Sequence, residues 1–126
     1  MGGRSILVID DEADVQEIAR LSLQITRQWQ VLSASSGREG VAIAVASQPD
    51  AILLDIKMPD MDGPATLKQL LTNPATQHIP VIFLTAKLMP ARQDQKAGLN
   101  AKAIFVKPFD PGTLADQIET ALGWRG

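Results

Sequence analysis

The stretch AILLDIKMPDMDG, residues 51–63, runs four apolar residues straight into a carboxylate and then into a turn rich in acid and proline. Ala51 to Leu54 read as a buried strand, and Asp55 stands at its end. Aspartate at a strand end is commonly a turn former, because its carboxylate bonds nearby backbone amides. Whether Asp55 is more than that depends on what the rest of the chain sets beside it.

Upstream, SILVID (5–10) is a short β-branched run that predicts a buried strand. Val15, Ile18, Ala19, Ser22, Leu23 and Thr26 then recur at helical spacing between residues 12 and 27. WQVLSAS (29–35) reads as a strand, after which Ser35 or Ser36 can cap a helix to about Ser47. Gln48-Pro49-Asp50 breaks that helix. Downstream of the Gly63-Pro64 turn, Thr66, Leu67, Leu70 and Leu71 predict a helix that tolerates Pro64 in its first turn. IPVIFLTA (79–86) is a further buried strand with a proline at its edge. A weaker helix is expected over residues 90 to 97, ending at Gly98. AIFV (103–106) is a fifth strand, and DPGTLADQIETALGW (110–124) a helix with Asp110 as N-cap and Pro111 at its first position. Strict β/α alternation predicts an α/β doubly wound sandwich, a parallel sheet with helices on both faces. Ligands of such sheets bind outside the carboxyl ends of the strands.

Composition narrows the function classes. The chain has 126 residues, 45% apolar and 21% charged, the size and make-up of one globular domain. A net charge of −2 lacks the basic face that a nucleic-acid footprint needs. No cysteine is present, so neither a disulfide framework nor thiolate chemistry is expected, which suits a cytoplasmic protein. No apolar run reaches the ~20 residues of a membrane helix, and MGGRSILVIDDE lacks a signal-peptide pattern. Residues 1–4 and 125–126 are expected to be short tails around a domain over 5–124.

In this element order Asp10 and Asp11 follow the first strand, Asp55 ends the third, Thr85 ends the fourth and Lys107 ends the fifth. Residues far apart in the chain therefore meet at one sheet edge. Three carboxylates there raise each other's pKa. A divalent cation relieves this, and an all-oxygen site suits Mg²⁺. Lys107 adds a positive charge and Thr85 a hydroxyl that can donate to an anion. An ionised carboxylate among such groups can act as a nucleophile and form an aspartyl phosphate.

With VIDDE (8–12), LLDIKMPDMDG (53–63), FLTA (83–86) and FVKPF (105–109) in place, the chain resembles the CheY-like receiver domains of two-component response regulators over essentially its full length. The resemblance implies a (βα)5 flavodoxin-like fold with strand order 2-1-3-4-5. It implies Asp55 as phosphoacceptor, Asp11 as a direct Mg²⁺ ligand and Asp10 as a ligand through water. The backbone carbonyl of Lys57 would be the third protein ligand, Thr85 the switch hydroxyl and Lys107 the phosphate-binding lysine. A cis bond is implied at Lys107-Pro108, since cis forms are affordable only before proline. The implied role is a phosphorelay switch rather than an enzyme with an external substrate. Its chemistry would be limited to its own phosphorylation and slow dephosphorylation. The implied partners are a histidine kinase or histidine phosphotransfer protein and a downstream target protein, with no direct nucleic acid and no membrane. The chain would be a monomer or a weak phosphorylation-dependent dimer, either stand-alone or taken from a larger regulator.

One position departs from the family. Many receivers carry an aromatic three residues before the lysine, where this chain has Ile104, and Phe105 should face the other side of the strand. Lys57 and Lys87 occupy positions that flank the phosphoryl site in the family and also read as solvated lysines. His78 is the sole histidine and reads as a surface loop residue, while Trp29 and Trp124 read as packing residues. Two other functions compete. A haloacid-dehalogenase-like phosphatase also uses an aspartate nucleophile with Mg²⁺, but places a second Asp where Lys57 stands. A flavin carrier of flavodoxin type needs a Ser/Thr/Gly-rich phosphate loop, where this chain has DDEAD.

Overall fold

The computed structural model of the chain describes residues 3–86 and 101–124. Strands β1 (Ser5–Ile9), β2 (Gln30–Ala34), β3 (Ala51–Asp55), β4 (Val81–Thr85) and β5 (Ala103–Val106) are interleaved with helices α1 (Ala13–Arg27), α2 (Gly37–Ser47) and α3 (Gly63–Thr72). Helix α4 (Leu114–Leu122) follows β5. The helix expected over residues 90 to 97, with Gly98 and Lys87, lies outside the described residues. All five strands are parallel, in the order β2-β1-β3-β4-β5. This is the flavodoxin-like arrangement expected. No helix among the described residues is long and apolar enough to cross a membrane.

The core explains the order. Strands β3 and β4 are buried along their whole length, because helices cover both faces of a parallel sheet and both faces must be apolar. Successive side chains point to opposite faces. Leu7, Ile9, Ile52, Leu54 and Phe83 accordingly pack with Ala44 of α2 and Leu67 and Leu70 of α3. Ile6, Val8, Leu53, Ile82 and Leu84 pack with Ala19 and Leu23 of α1 and Leu114 and Ile118 of α4. Each such leucine or isoleucine contributes about 1.5–3 kcal/mol on burial. A one-residue slip of β3 would reverse both faces at once, so the place of Asp55 at the strand end is firmly held. Ile104 packs with the first layer and Phe105 with the second, opposite faces as expected. The Trp29 and Trp124 rings meet edge to face at 5.7 Å, with the Arg4 guanidinium 3.9 Å from the Trp124 ring centre. His78 is exposed.

Local chemistry sets the helix starts. Ser36 Oγ accepts from the Glu39 amide at 3.1 Å, and Asp62 Oδ1 accepts from the Ala65 amide at 2.9 Å. The expectation of Asp110 as N-cap and Pro111 at the first helical position needs correcting. Helix α4 begins at Leu114 with Thr113 as its N-cap. Asp110 instead closes a turn, its Oδ1 accepting from the Gly112 amide at 2.8 Å and its carbonyl from the Thr113 amide at 3.0 Å. Aspartate bonds backbone two residues on as readily as it caps a helix, and Gly112 is a poor helix residue.

Candidate functional site

The strand register brings the predicted residues together. Ile9 pairs with Leu54, Asp55 with Leu84, and Thr85 with Val106. Asp10, Asp55, Thr85 and Lys107 therefore each stand at the last ladder pair or one residue beyond it. The Lys107 amide still donates to the Thr85 carbonyl at 2.7 Å, and the Lys107-Pro108 bond is cis.

Asp10 is held on every side. Its amide donates to the Ala34 carbonyl at 3.0 Å and its own carbonyl accepts from Gln16 Nε2 at 2.7 Å. The Gln16 amide also reaches the Ala34 carbonyl at 3.2 Å, tying the ends of β1 and β2. Asp10 Oδ1 accepts from the Glu12 amide at 2.9 Å. Asp10 Oδ2 is buried, with Lys107 Nζ 3.0 Å away as its counter-charge. Beneath Asp55 the chain turns tightly. The Gly63 amide donates to the Ile56 carbonyl at 2.8 Å. A Cβ at position 63 would lie 2.6 Å from the Asp55 carbonyl oxygen and 2.7 Å from Ile56 Cα. Backbone cannot yield as a side chain does, so only glycine fits there.

Lys107 Nζ lies 3.0 Å from Asp10 Oδ2, 3.1 Å from Glu12 Oε1 and 3.4 Å from Asp55 Oδ1. One carboxylate oxygen each from Asp10, Asp11 and Asp55 falls within 4.8 Å of the others. Asp11, Glu12, Asp55, Lys57, Thr85, Ala86 and Lys107 line a cleft of about 250 Å³. Asp10 and Asp55 are buried while Asp11 is exposed. Thr85 is buried on the cleft wall.

These positions shift the charges. Burial raises the pKa of Asp10, against the Glu12 amide and the Lys107 ammonium, which lower it. Burial, and then the charge of Asp10, raise Asp55 from 3.8 to about 6, against Lys107 and the Lys57 amide. Burial works against the charge of Lys107, but hydrogen bonds and charge from Asp10, Glu12 and Asp55 outweigh it and push its pKa up. Buried carboxylates in excess over cations are costly. The oxygen-only donor set fits a hard divalent cation.

All five predicted side chains therefore meet at one sheet edge, and Lys57 joins them on the cleft wall. Two contributors carried no assigned role in the sequence reading. Glu12 closes the motif VIDDE, yet nothing in a sequence says that its carboxylate reaches Lys107. Gln16 lies on α1 among surface residues, and its bridge to two strand ends has no sequence signal.

The profile of the response regulator receiver domain matches residues 6–119. A protein of Vibrio cholerae named "Probable cyclic di-GMP phosphodiesterase" is 36% identical over 94% of this chain and 26% of its own. "Protein PilH" of Pseudomonas aeruginosa is 34% identical over 93% of this chain and 96% of its own. Among solved structures, chemotaxis protein CheY4 of Vibrio cholerae superposes with a TM-score of 0.87 at 27% identity, covering 95% of this chain and 99% of that one. The chain spans 26% and 55% of the first two curated relatives it matches.

Proposed function

We propose, because the chain belongs to the response regulator receiver domain family, that Asp55 is the carboxylate that accepts the phosphoryl group. A receiver is a signalling domain of two-component systems, and the domain is taken to span residues 5–124. The observation that carries the assignment to Asp55 is its place among charges. Its carboxylate is nearly dry, 3.4 Å from Lys107 Nζ and grouped with Asp10 and Asp11.

In the proposed reaction an Asp55 carboxylate oxygen attacks the phosphorus of a phosphohistidine. A new O–P bond forms, the P–N bond breaks, and its electron pair leaves with the imidazole, which takes a proton from solvent. Lys107 donates to the phosphoryl oxygens and holds them against the cleft floor. Thr85, on the same wall, offers a hydroxyl to the same anion. The tight turn at Gly63 keeps the backbone beneath Asp55 from shifting. Receivers bind Mg²⁺ at an acidic cluster. Asp11 and Asp55 with the Lys57 carbonyl, and Asp10 through water, would hold it here. When bound, Mg²⁺ supplies charge neutralisation for the carboxylates and the phosphoryl oxygens.

The proposed donor is a histidine kinase or histidine phosphotransfer protein, and the output is a change of contacts with a target protein. The chain would act in the cytoplasm, as a monomer or weak phosphorylation-dependent dimer, without touching nucleic acid. Its catalysis would be confined to its own phosphorylation and slow hydrolysis. The test is incubation with acetyl phosphate and Mg²⁺, read by intact mass. The wild type should gain one phosphoryl group and Asp55→Asn none; undiminished incorporation in the variant would sink the assignment.

A further inference from the structure

The Lys107 ammonium has three N–H donors, and three carboxylates already surround it. Asp10, Glu12 and Asp55 offer oxygens at 3.0, 3.1 and 3.4 Å. The contact with Glu12 is a hydrogen bond. If Asp55 is the phosphoryl acceptor, an anion of higher charge must enter this cleft and accept from the same ammonium. One partner has to give way.

The surroundings of the three carboxylates decide which. Asp10 is shut in, with 0% of its side chain exposed, and on release would be left buried without its counter-charge. Asp55 is the reacting group: once its oxygen is bonded to phosphorus, its 3.4 Å contact passes to the phosphoryl group, which brings further acceptor oxygens to the same ammonium. The Glu12 side chain is 62% exposed, so its carboxylate regains water as soon as it turns away. It makes no cap bond at the start of α1, and it lies outside the carboxylate group of Asp10, Asp11 and Asp55.

We propose that Glu12 is the exchangeable partner of Lys107. Its carboxylate occupies the ammonium while Asp55 is free and surrenders it to the phosphoryl oxygens. Glu12 is then a positioning residue that acts through Lys107. It opposes the phosphorylated state by competing for the ammonium and by facing the incoming anion across the same cleft. A ligand shifts a two-state equilibrium only by its differential affinity for the two states, and Glu12 reduces that difference. The inference rests on the reading of Asp55 as acceptor.

The test is binding of beryllofluoride in the presence of saturating Mg²⁺, measured by calorimetry at low and high salt. Glu12→Gln keeps the shape and removes the charge, and should bind about two- to fivefold tighter than wild type, on the scale of one exposed ion pair. The gain should shrink as salt screens the charges. Glu12→Asp keeps the charge and should return the affinity toward wild type. Equal or weaker binding by Glu12→Gln overturns the proposal, as does Glu12→Asp binding as tightly as Glu12→Gln. If the wild type binds no beryllofluoride, or Asp55→Asn binds as much, the Asp55 reading fails and this inference with it.

Discussion

Two clusters of charge each join the early part of the chain to its last helix or strand, and they are built to different balances. In the first, Arg27 at the end of α1 meets Asp116 and Glu119 of α4, with Nη2 3.1 Å from Glu119 Oε1 and Nε 3.2 Å from Glu119 Oε2. One guanidinium faces two carboxylates, and its side chain keeps 31% exposure. In the second, Lys107 faces Asp10, Glu12 and Asp55 with 13% exposure, and Asp11 stands beside them. Both are long-range ion-pair networks. Only one of them leaves negative charge in excess and out of water.

The difference separates a tie from a site. Solvated pairs such as the Arg27 cluster contribute modestly and are screened by salt. The second carboxylate there, Asp116, is 63% exposed, so the excess charge stays in water. Buried carboxylates that outnumber their cation raise each other's pKa and weaken the metal-free fold. An uncompensated cluster in a cleft is a candidate for function because it is held at a cost to stability. If the contrast is correct, the two clusters respond differently to the same perturbations.

The largest response should come from metal. Asp11 is exposed on the cleft wall, whereas Asp10 is buried behind it. We expect Asp11→Asn to lower Mg²⁺ affinity by about tenfold or more, and Asp10→Asn by less. Arg27→Gln should leave it unchanged. Titrations followed by amide shifts would check this, and equal losses in the two aspartate variants would overturn the ranking.

The next response is to pH. The folded pKa of Asp55 is raised from 3.8 to about 6. Between those values the folded protein holds a proton that the unfolded chain has released. The stabilisation is full below the lower value and is lost as pH rises through the upper one. In metal-free buffer the wild type should therefore lose stability between about pH 4 and pH 6.5, by about 1–3 kcal/mol. The raised pKa of Asp10 acts in the same direction. Urea unfolding of Asp55→Asn should show a flatter profile and higher stability at pH 7. A wild-type profile as flat as the variant's would remove the contrast between the clusters.

The smallest response concerns the tie itself. Arg27→Gln should lower stability by about 0.5–1 kcal/mol, and less at high salt. Phosphorylation from acetyl phosphate should not change. A clear fall in phosphorylation rate would mean that the α1–α4 contact reaches the site and that the two clusters are not independent.

Much of this is legible in the sequence. The apolar runs ending at Asp55 and Thr85 predicted buried strands, and those strands end at those residues. Ser35 or Ser36 is expected to cap the second helix, and Ser36 does. Such features rest on local physics, on side-chain alternation, turn chemistry and the needs of a helix end, which neighbouring residues express among themselves. Asp110 shows where local reasoning divides, because the same residue type serves a helix cap and a turn, and only the following backbone chooses.

The sequence by itself determined the order of strands and helices and the edge at which Asp10, Asp11, Asp55, Thr85 and Lys107 would gather. Family resemblance gave Asp10 and Asp11 different roles, but residue chemistry alone could not say that Asp10 is buried and Asp11 exposed, since they are adjacent and chemically identical. Nor could it pair Glu12 with Lys107 or bring Gln16 onto two strand ends. The tertiary structure alone decided these, because desolvation and Coulomb energy depend on distances set by the register of strands remote in the chain.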